Sequence, residues 1–307
     1  MVEPETAGDP ITGERWVRTS LRGLSAALNR RACPTTIGRL LRANGYGLRG
    51  HRKRLTRKTH ADRDAQFQYI ADRRRTFAGV GNPRISIDAK KRELVGNFKN
   101  PGRRWCRTAT DVNAHDFPTD AVGHAVPYGV YDPERNRAHV CVGTSGNTPD
   151  LAVDAVRDWW RQKGTRTYRD ATALLIEADG GGSNGSKSRR FKFRLQEFAD
   201  ETGLAVTVCH YPPGASKWNP IEHRVFSQIS ATWAGIVLST VAIVVGRIRR
   251  TTTSTGLTVT ARVMPKAYPT GRKVSAAEFK AIKLTRPATC PQWNYTIHPR
   301  TGSKNTE

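Results

Sequence analysis

Acidic residues are scarce in this chain: 26 Asp and Glu stand against 51 Lys and Arg in 307 residues, a formal charge of +25. That balance says nothing about fold, but it favours a polyanionic partner, nucleic acid first and an anionic membrane surface second. Cysteine is sparse too. Cys33, Cys106, Cys141, Cys209 and Cys290 include no Cys-x-x-Cys pair, which argues against a zinc ribbon and a disulfide scaffold and suits a reducing cytoplasm. Long apolar runs are missing. The longest, GIVLSTVAIVVG from Gly235 to Gly246, has Ser and Thr at its middle; it is too short for a bilayer and reads as buried core. The first ten residues, MVEPETAGDP, are acidic and Pro-rich, unlike a secretion signal. No internal repeat is present, and the only biased tract is a glycine-rich stretch after Asp179.

What is present falls into two parts, and the length allows one large domain or two ordinary ones. Residues 1–15 read as a frayed, disordered terminus. From Ser20 to Tyr46, Leu21, Leu24, Ala27 and Leu28 recur at helical spacing, as do Ile37, Leu40 and Leu41, with CPTT between them. Pro34 suits a first helical turn, and Thr35 or Thr36 can cap it. Two short helices joined tightly fit a helix-turn-helix with Arg39 and Arg42 facing a groove, and fit an ordinary helical hairpin equally well. The next segment, LRGHRKRLTRK from Leu48 to Lys58, tips the balance toward DNA: Arg52, Lys53 and Arg54 form a dense basic run of the kind that neutralises phosphates.

Further on, NPRISIDAKK alternates as a strand with Asp88 near its end. Residues 125–145 read as a hairpin turning at DPERN. DLAVDAVRDWWRQKG is an amphipathic helix with Ala152, Val156, Trp159 and Trp160 inward. ATALLIEAD is a buried strand ending at Asp179. A basic helix follows from Ser188 to Glu201, then the strand LAVTVCHY, then a helix opened by Pro220. Cys209 and His210 read as a buried strand-end pair and not as a thiol nucleophile. This order predicts an α/β fold in which an antiparallel meander joins parallel strands linked by helices.

Three acids fall where that topology can gather them. Asp88 ends the first strand and Asp179 ends the buried strand, at the carboxyl edge where open α/β sheets place their sites. Glu222 lies three, four and seven residues before Val225, Phe226 and Ile229, which predicts that it points toward the sheet. Singly, such residues are usually turn, cap or dipole-favouring groups; their order and placement carry the weight. Crowded carboxylates repel unless a cation joins them, and hard oxygen ligands without Cys or paired His indicate Mg2+ or Mn2+. Two such ions suit phosphodiester displacement. The glycine stretch GGGSNGSKS resembles a phosphate-binding P-loop, but Ser186 separates Gly185 from Lys187, so the Walker pattern fails and no nucleotide cofactor is expected. Its small residues instead leave room beside Asp179 for metal and a DNA backbone.

The stretches SIDAKKRELVGNFKNPGRRW, VNAHDFP, AVPYGVYD, EADGGGSNGSKSRRFKFRLQEFADETGL, VCHYPPGASKWNPIEHRVFSQIS and TTTSTGLTV together resemble the Rhodopirellula-type DDE transposases, insertion-sequence enzymes related to the mariner-like group. The resemblance spans about residues 55–265. It implies an RNase H-like core with a mixed five-stranded sheet, and DNA cleavage followed by strand transfer with divalent metal. It also implies that Asp88, Asp179 and Glu222 are the catalytic and metal-binding acids. The expected layout is then a helix-turn-helix-like basic DNA-binding segment at 16–60, a linker helix at 61–80, the catalytic domain at 81–265 and a C-terminal extension at 266–307. The stretch ahead of the core is shorter than the family implies, so the chain is expected to start late and lack one DNA-binding module. Lys187, Arg189, Arg190 and Lys217 are expected phosphate contacts. Trp218 reads equally as a stacking platform for a base and as a hydrophobic plug. Asn184 and His223 stand beside the acids as candidates for positioning water or phosphate, though a structural hydrogen bond is the plainer role for each. The partners implied are duplex DNA, both element ends and target, bound by a homo-oligomer on paired ends in a bacterial cytoplasm at the nucleoid. Alternatives left open are an inactive remnant, a DNA-binding regulator, and an RNase H-like nuclease that never joins strands.

Overall fold

The structure, a computed structural model, describes residues 6–8, 15–17, 19–48 and 60–300. The chain divides into two units, residues 1–55 and 56–307. In the first, β1 (Thr6–Gly8) pairs antiparallel with β2 (Arg15–Val17), so part of the span expected to fray carries a short ladder, closed against the β-prone Arg-Trp-Val. Helix α1 (Leu21–Ala27) is capped by the Ser20 hydroxyl, which accepts from Gly23 N at 3.1 Å. Helix α2 (Pro34–Ala43) has Pro34 in its first turn as expected, but Cys33, not a threonine, is the cap: its sulfur accepts from Thr36 N. The two helices pack together with Leu24 and Ile37 buried, and Arg39 and Arg42 are exposed on α2. The basic run Arg52, Lys53 and Arg54 lies outside the described residues.

The second unit begins with α3 (Arg63–Gly79), followed by β3 (Arg84–Ala89), β4 (Glu93–Val95), β5 (Gly123–Asp132) and β6 (Arg137–Gly143). Helix α4 (Pro149–Trp159) runs through a π turn, 160–164, into the single turn α5 (Thr165–Thr167). Then come β7 (Ala173–Ala178), α6 (Arg189–Thr202) and β8 (Ala205–His210). A second π turn, Glu222–Phe226, leads into α7 (Ser227–Thr232), and α8 (Val241–Arg249), β9 (Thr258–Val263), α9 (Ala276–Lys280), β10 (Leu284–Thr285) and β11 (Asn294–Ile297) complete it. One sheet holds nine strands in the order β10-β11-β8-β7-β3-β5-β6-β9, with β4 beside β5. Its centre, β6-β5-β3-β7-β8, combines an antiparallel meander with the parallel β3-β7-β8 ladder. That is the RNase H-like arrangement: the first strand lies in the middle, with the meander on one side and the crossover strands on the other. The expected five strands are this centre. The sheet is wider because β4, β9, β10 and β11 add to it.

Period-two alternation splits the core between the faces. Val126, Tyr128, Val130, Leu174 and Ile176 pack under α4 and α6, against Trp159, Phe191, Leu195 and Phe198. On the other face, Tyr131, Val140 and Val142 meet Val225, Ile229, Val244 and Ile248, while Leu175 meets Ile70 of α3. The run GIVLSTVAIVVG is only partly buried: Thr240 caps α8, Leu238, Val244 and Val245 are buried, as is Ile248 just beyond it, and the rest of the run is half-buried or exposed. No helix among the described residues is long and apolar enough to cross a membrane.

Two expected boundaries change. Helix α3, expected as a linker, is packed into the second unit. The Gln66 amide, fully buried, donates to His210 O and Asn294 Oδ1, both at 2.8 Å. Arg74 also forks onto buried Glu177 at 2.6 and 2.7 Å. The region expected as a C-terminal extension likewise belongs to the sheet: β11 pairs with β8 and buries Tyr295 and Ile297. Hydrophobic periodicity alone missed both, because the residues that decide them are buried polar groups and a four-residue strand.

Candidate active site

Asp88 leaves the central strand one residue before its end, and β7, parallel and adjacent, delivers Asp179 at the same edge. Glu222 arrives from a third segment. Carboxylate oxygens of Asp88, Asp179 and Glu222 all lie within 4.8 Å of one another. A cleft of about 750 Å3, lined by Asp88, Asp179, the glycine loop, residues 211–214 and Ser216, opens on the two aspartates. Glu222 does reach the sheet edge, but on the open side of the site. The π turn displaces it from the stripe of Val225, Phe226 and Ile229, which are the residues that bury, so the helical offset argument expected more burial of Glu222 than the structure has.

The position of Glu222 follows from two residues that sequence reasoning passed over. Asn219, fully buried, donates to Ile87 O at 3.1 Å and accepts from the Ser86 hydroxyl, and Ser86 Oγ in turn accepts from Ile221 N at 3.1 Å. The turn carrying Glu222 is thereby tied to the strand carrying Asp88. Gly129, directly opposite Asp88 in the β3–β5 register, makes room for it. A Cβ there would meet Ile221 Cδ1 at 2.6 Å and Phe226 Cε1 at 2.9 Å. The Asn-Pro pair was a readable turn signal; nothing in the sequence marks Gly129 as a close-approach position.

Burial and the charge of Asp179, with a hydrogen bond to Glu222, push the Asp88 carboxyl up to about 8. Burial and the charge of Glu222 push Asp179 up to about 6, against a lowering contribution from Asn219. Asp179 Oδ1 is buried with no hydrogen-bond partner among the described residues. Crowded hard oxygen donors with one orphaned acceptor fit a divalent cation of the magnesium type.

The loop after Asp179 is stapled from below. Asn184 is buried, its amide donating to Asp179 O at 3.1 Å and its oxygen accepting from Tyr128 at 3.2 Å. Both ends of its side chain are therefore engaged, so it shapes the loop instead of positioning water or phosphate. Fully buried His210 places its ring between Asn184 O at 2.8 Å and Trp293 O at 3.0 Å. Burial raises the Cys209 thiol far above its ordinary range, in keeping with an inert strand-end pair. Gly182, with φ +67°, turns the loop where an L side chain would be strained.

Around the cleft, Lys187 is exposed on its wall, and Arg189 is exposed over the Phe279 ring. Arg190, expected at a phosphate, forks instead onto Asp150 at 2.7 and 3.1 Å. Trp218 is 51% exposed, edge-on to Phe67 with Lys217 Nζ over its ring; a plug would be covered, so its open face favours the stacking role. His223 is exposed beside Glu222.

Solved structures similar to this chain include the Mos1 transposase paired-end complex with left transposon end, at 12% identity and a TM-score of 0.45 over 74% of this chain and 64% of that one. The Mos1 strand transfer complex matches at 11% identity and 0.44, over 73% and 63%. The mariner Mos1 paired end complex with Mg matches at 10% and 0.44, over 74% and 64%. The chain thus spans slightly under two thirds of the Mos1 chains it matches. No curated protein matches it significantly. The sequence profile described as Rhodopirellula transposase DDE domain matches residues 1–299, taking in all three acids, the glycine loop and the strands beyond β8, and to that family the chain belongs.

Proposed function

We propose that this protein is a DDE transposase, which cuts a DNA phosphodiester at the end of its insertion sequence and joins the freed 3′-hydroxyl to target DNA. The observation that carries the reading is the meeting of Asp88, Asp179 and Glu222, from three separate segments, within 4.8 Å around a buried, unpartnered carboxylate oxygen. These three residues would hold two Mg2+ or Mn2+ ions, which when bound favour the attacking hydroxyl and the leaving oxygen of an in-line displacement. The chain's own contribution is placement. Asn219 and Gly129 seat the third acid, Asn184 and His210 fix the loop that keeps the cleft clear, and Lys187 offers positive charge to a phosphate entering it.

Lys187, Arg189 and Lys217 supply phosphate contacts near the acids, and Trp218 offers a face to an unpaired base. His223, exposed next to Glu222, would orient a phosphate. Arg39 and Arg42 on α2, with Arg52, Lys53 and Arg54, would hold the duplex of the element end. Assembly as a homo-oligomer on paired ends, in a bacterial cytoplasm at the nucleoid, completes the reading. The test is Mg2+-dependent cleavage and strand transfer on labelled DNA carrying the element's ends, with Asp179→Asn alongside. Wild type is expected to yield joined product and the variant neither cut nor joined DNA; equal cutting by both would falsify the assignment. Cutting without joining would favour the nuclease reading.

A further inference from the structure

The cleft does not end at the acids. It shares Asn147 and Ser188 with a second cavity of about 480 Å3, framed by the starts of α4 and α6 and by residues 269–274. Arg189 lines that cavity and also a third, of about 360 Å3, against α9 and β10. The three make one trough running from Asp88 and Asp179 to Arg286.

Along this trough lie Lys187, Arg189, Arg272, Lys273, Lys280 and Arg286, all exposed. None of the six forms an ion pair with a described residue; the acids nearby are already engaged. Asp150 is held by Arg190 and, at 3.2 Å, by Arg194. Glu278 accepts from Ser275 N at 2.7 Å in the capping box that opens α9. Six cations without a direct ion pair, of which only Arg272 feels Asp150 at longer range, leave a net positive field that favours a polyanion lying along them. Four of the six come from residues 266–286, beyond the span expected to be catalytic, so the C-terminal part of the chain contributes a charged wall as well as strands.

We infer that this trough is the backbone track of the duplex reaching the acid site, with DNA phosphates running from Lys187 and Arg189 to Arg272, Lys273, Lys280 and Arg286. The inference rests on the transposase reading and names where its substrate lies. Cationic tips on flexible stems, with Arg189 stacked over the Phe279 ring, suit sequence-independent phosphate contact and not base readout.

The experiment measures binding of a labelled duplex by the full chain, without metal, across a salt series. It compares wild type with Arg272→Ala/Lys273→Ala and with Lys280→Ala/Arg286→Ala. Every phosphate that a variant no longer neutralises lowers the slope of log affinity against log salt by about 0.9, so either double substitution is expected to lower it by about 2. Arg272→Lys should keep the wild-type slope, and the Tm of Arg272→Ala/Lys273→Ala should not move, because both side chains are at the surface; Arg286 also donates to Pro291 O, so Lys280→Ala/Arg286→Ala is compared at a temperature well below its own Tm. Wild-type slopes in both double variants would overturn the track. Because no metal is present, that result is separate from the transposase reading, which stands or falls on wild-type cleavage in Mg2+.

Discussion

A single added methyl group tests how the third acid is seated. Gly129→Ala forces a Cβ against Ile221 and Phe226, an overpacking expected to cost about 1–3 kcal/mol. The variant should fold with a lowered Tm and lose more cleavage than its stability accounts for, because Glu222 is displaced with the turn; undiminished cleavage would show that the turn adjusts without moving Glu222. Asp88 gives a pH test. Its carboxyl, pushed up to about 8, has an ordinary value near 4 in the unfolded chain, so the metal-free fold loses stability as the pH rises between those values. Metal-free Asp88→Asn is therefore expected to be more stable than wild type at pH 8, with the difference shrinking toward pH 4. Mg2+ should raise the Tm of wild type and leave the variant unmoved; thermal melts across pH read both. At this scale the aspartates were legible because a strand-end acid at a sheet's carboxyl edge has few structural duties. Asn219 and Gly129 were not, since their roles lie in contacts with residues distant in sequence, Ser86 and Ile87 for the one and Ile221 and Phe226 for the other.

Helices α4 and α6 are joined by ion pairs as well as by apolar side chains. Asp150 meets Arg190 and Arg194, and Asp154 meets Arg157, Arg194 and Lys266. Burial alone would raise the Asp150 carboxyl; the hydrogen bond and charge of Arg190, helped by Arg194, hold it below its ordinary range. A depressed carboxyl contributes stability above its unfolded value near 4 and loses it as the pH falls through the folded value. Asp150→Ala is expected to lose about 3 kcal/mol at neutral pH, because the partly buried Arg190 guanidinium is left without its ion-pair partner, while Arg194 keeps Asp154 and Glu197. In urea titrations repeated down the acid range, wild type and variant should converge; a constant gap would assign the loss to packing. Sequence periodicity placed both helices and their buried faces, because amphipathic spacing is local. It assigned Arg190 to DNA because a basic residue at a helix start gives no sign of a carboxylate waiting on another helix.

For the whole molecule, the strands near the C-terminus decide whether the sheet is complete. Ending the chain at residue 265 removes β10 and β11, bares the β8 edge and strips cover from Gln66 and His210, so the shortened protein is expected to aggregate or to melt many degrees lower. Scanning calorimetry beside the full chain checks this; an unchanged melting transition would show that these strands are dispensable. The central topology was readable because each strand is a dense apolar run and each crossover a recognisable helix. The sheet's outer width was not, since two- and four-residue strands carry almost no pattern. The ring of His210, held between Trp293 O and Asn184 O, ties the loop beside Asp179 to a segment that follows it by more than a hundred residues. A growing polypeptide that has emerged with all three acids still lacks the brace under the loop beside Asp179, so the nascent chain is expected to order its acid cluster only once translation has passed residue 293.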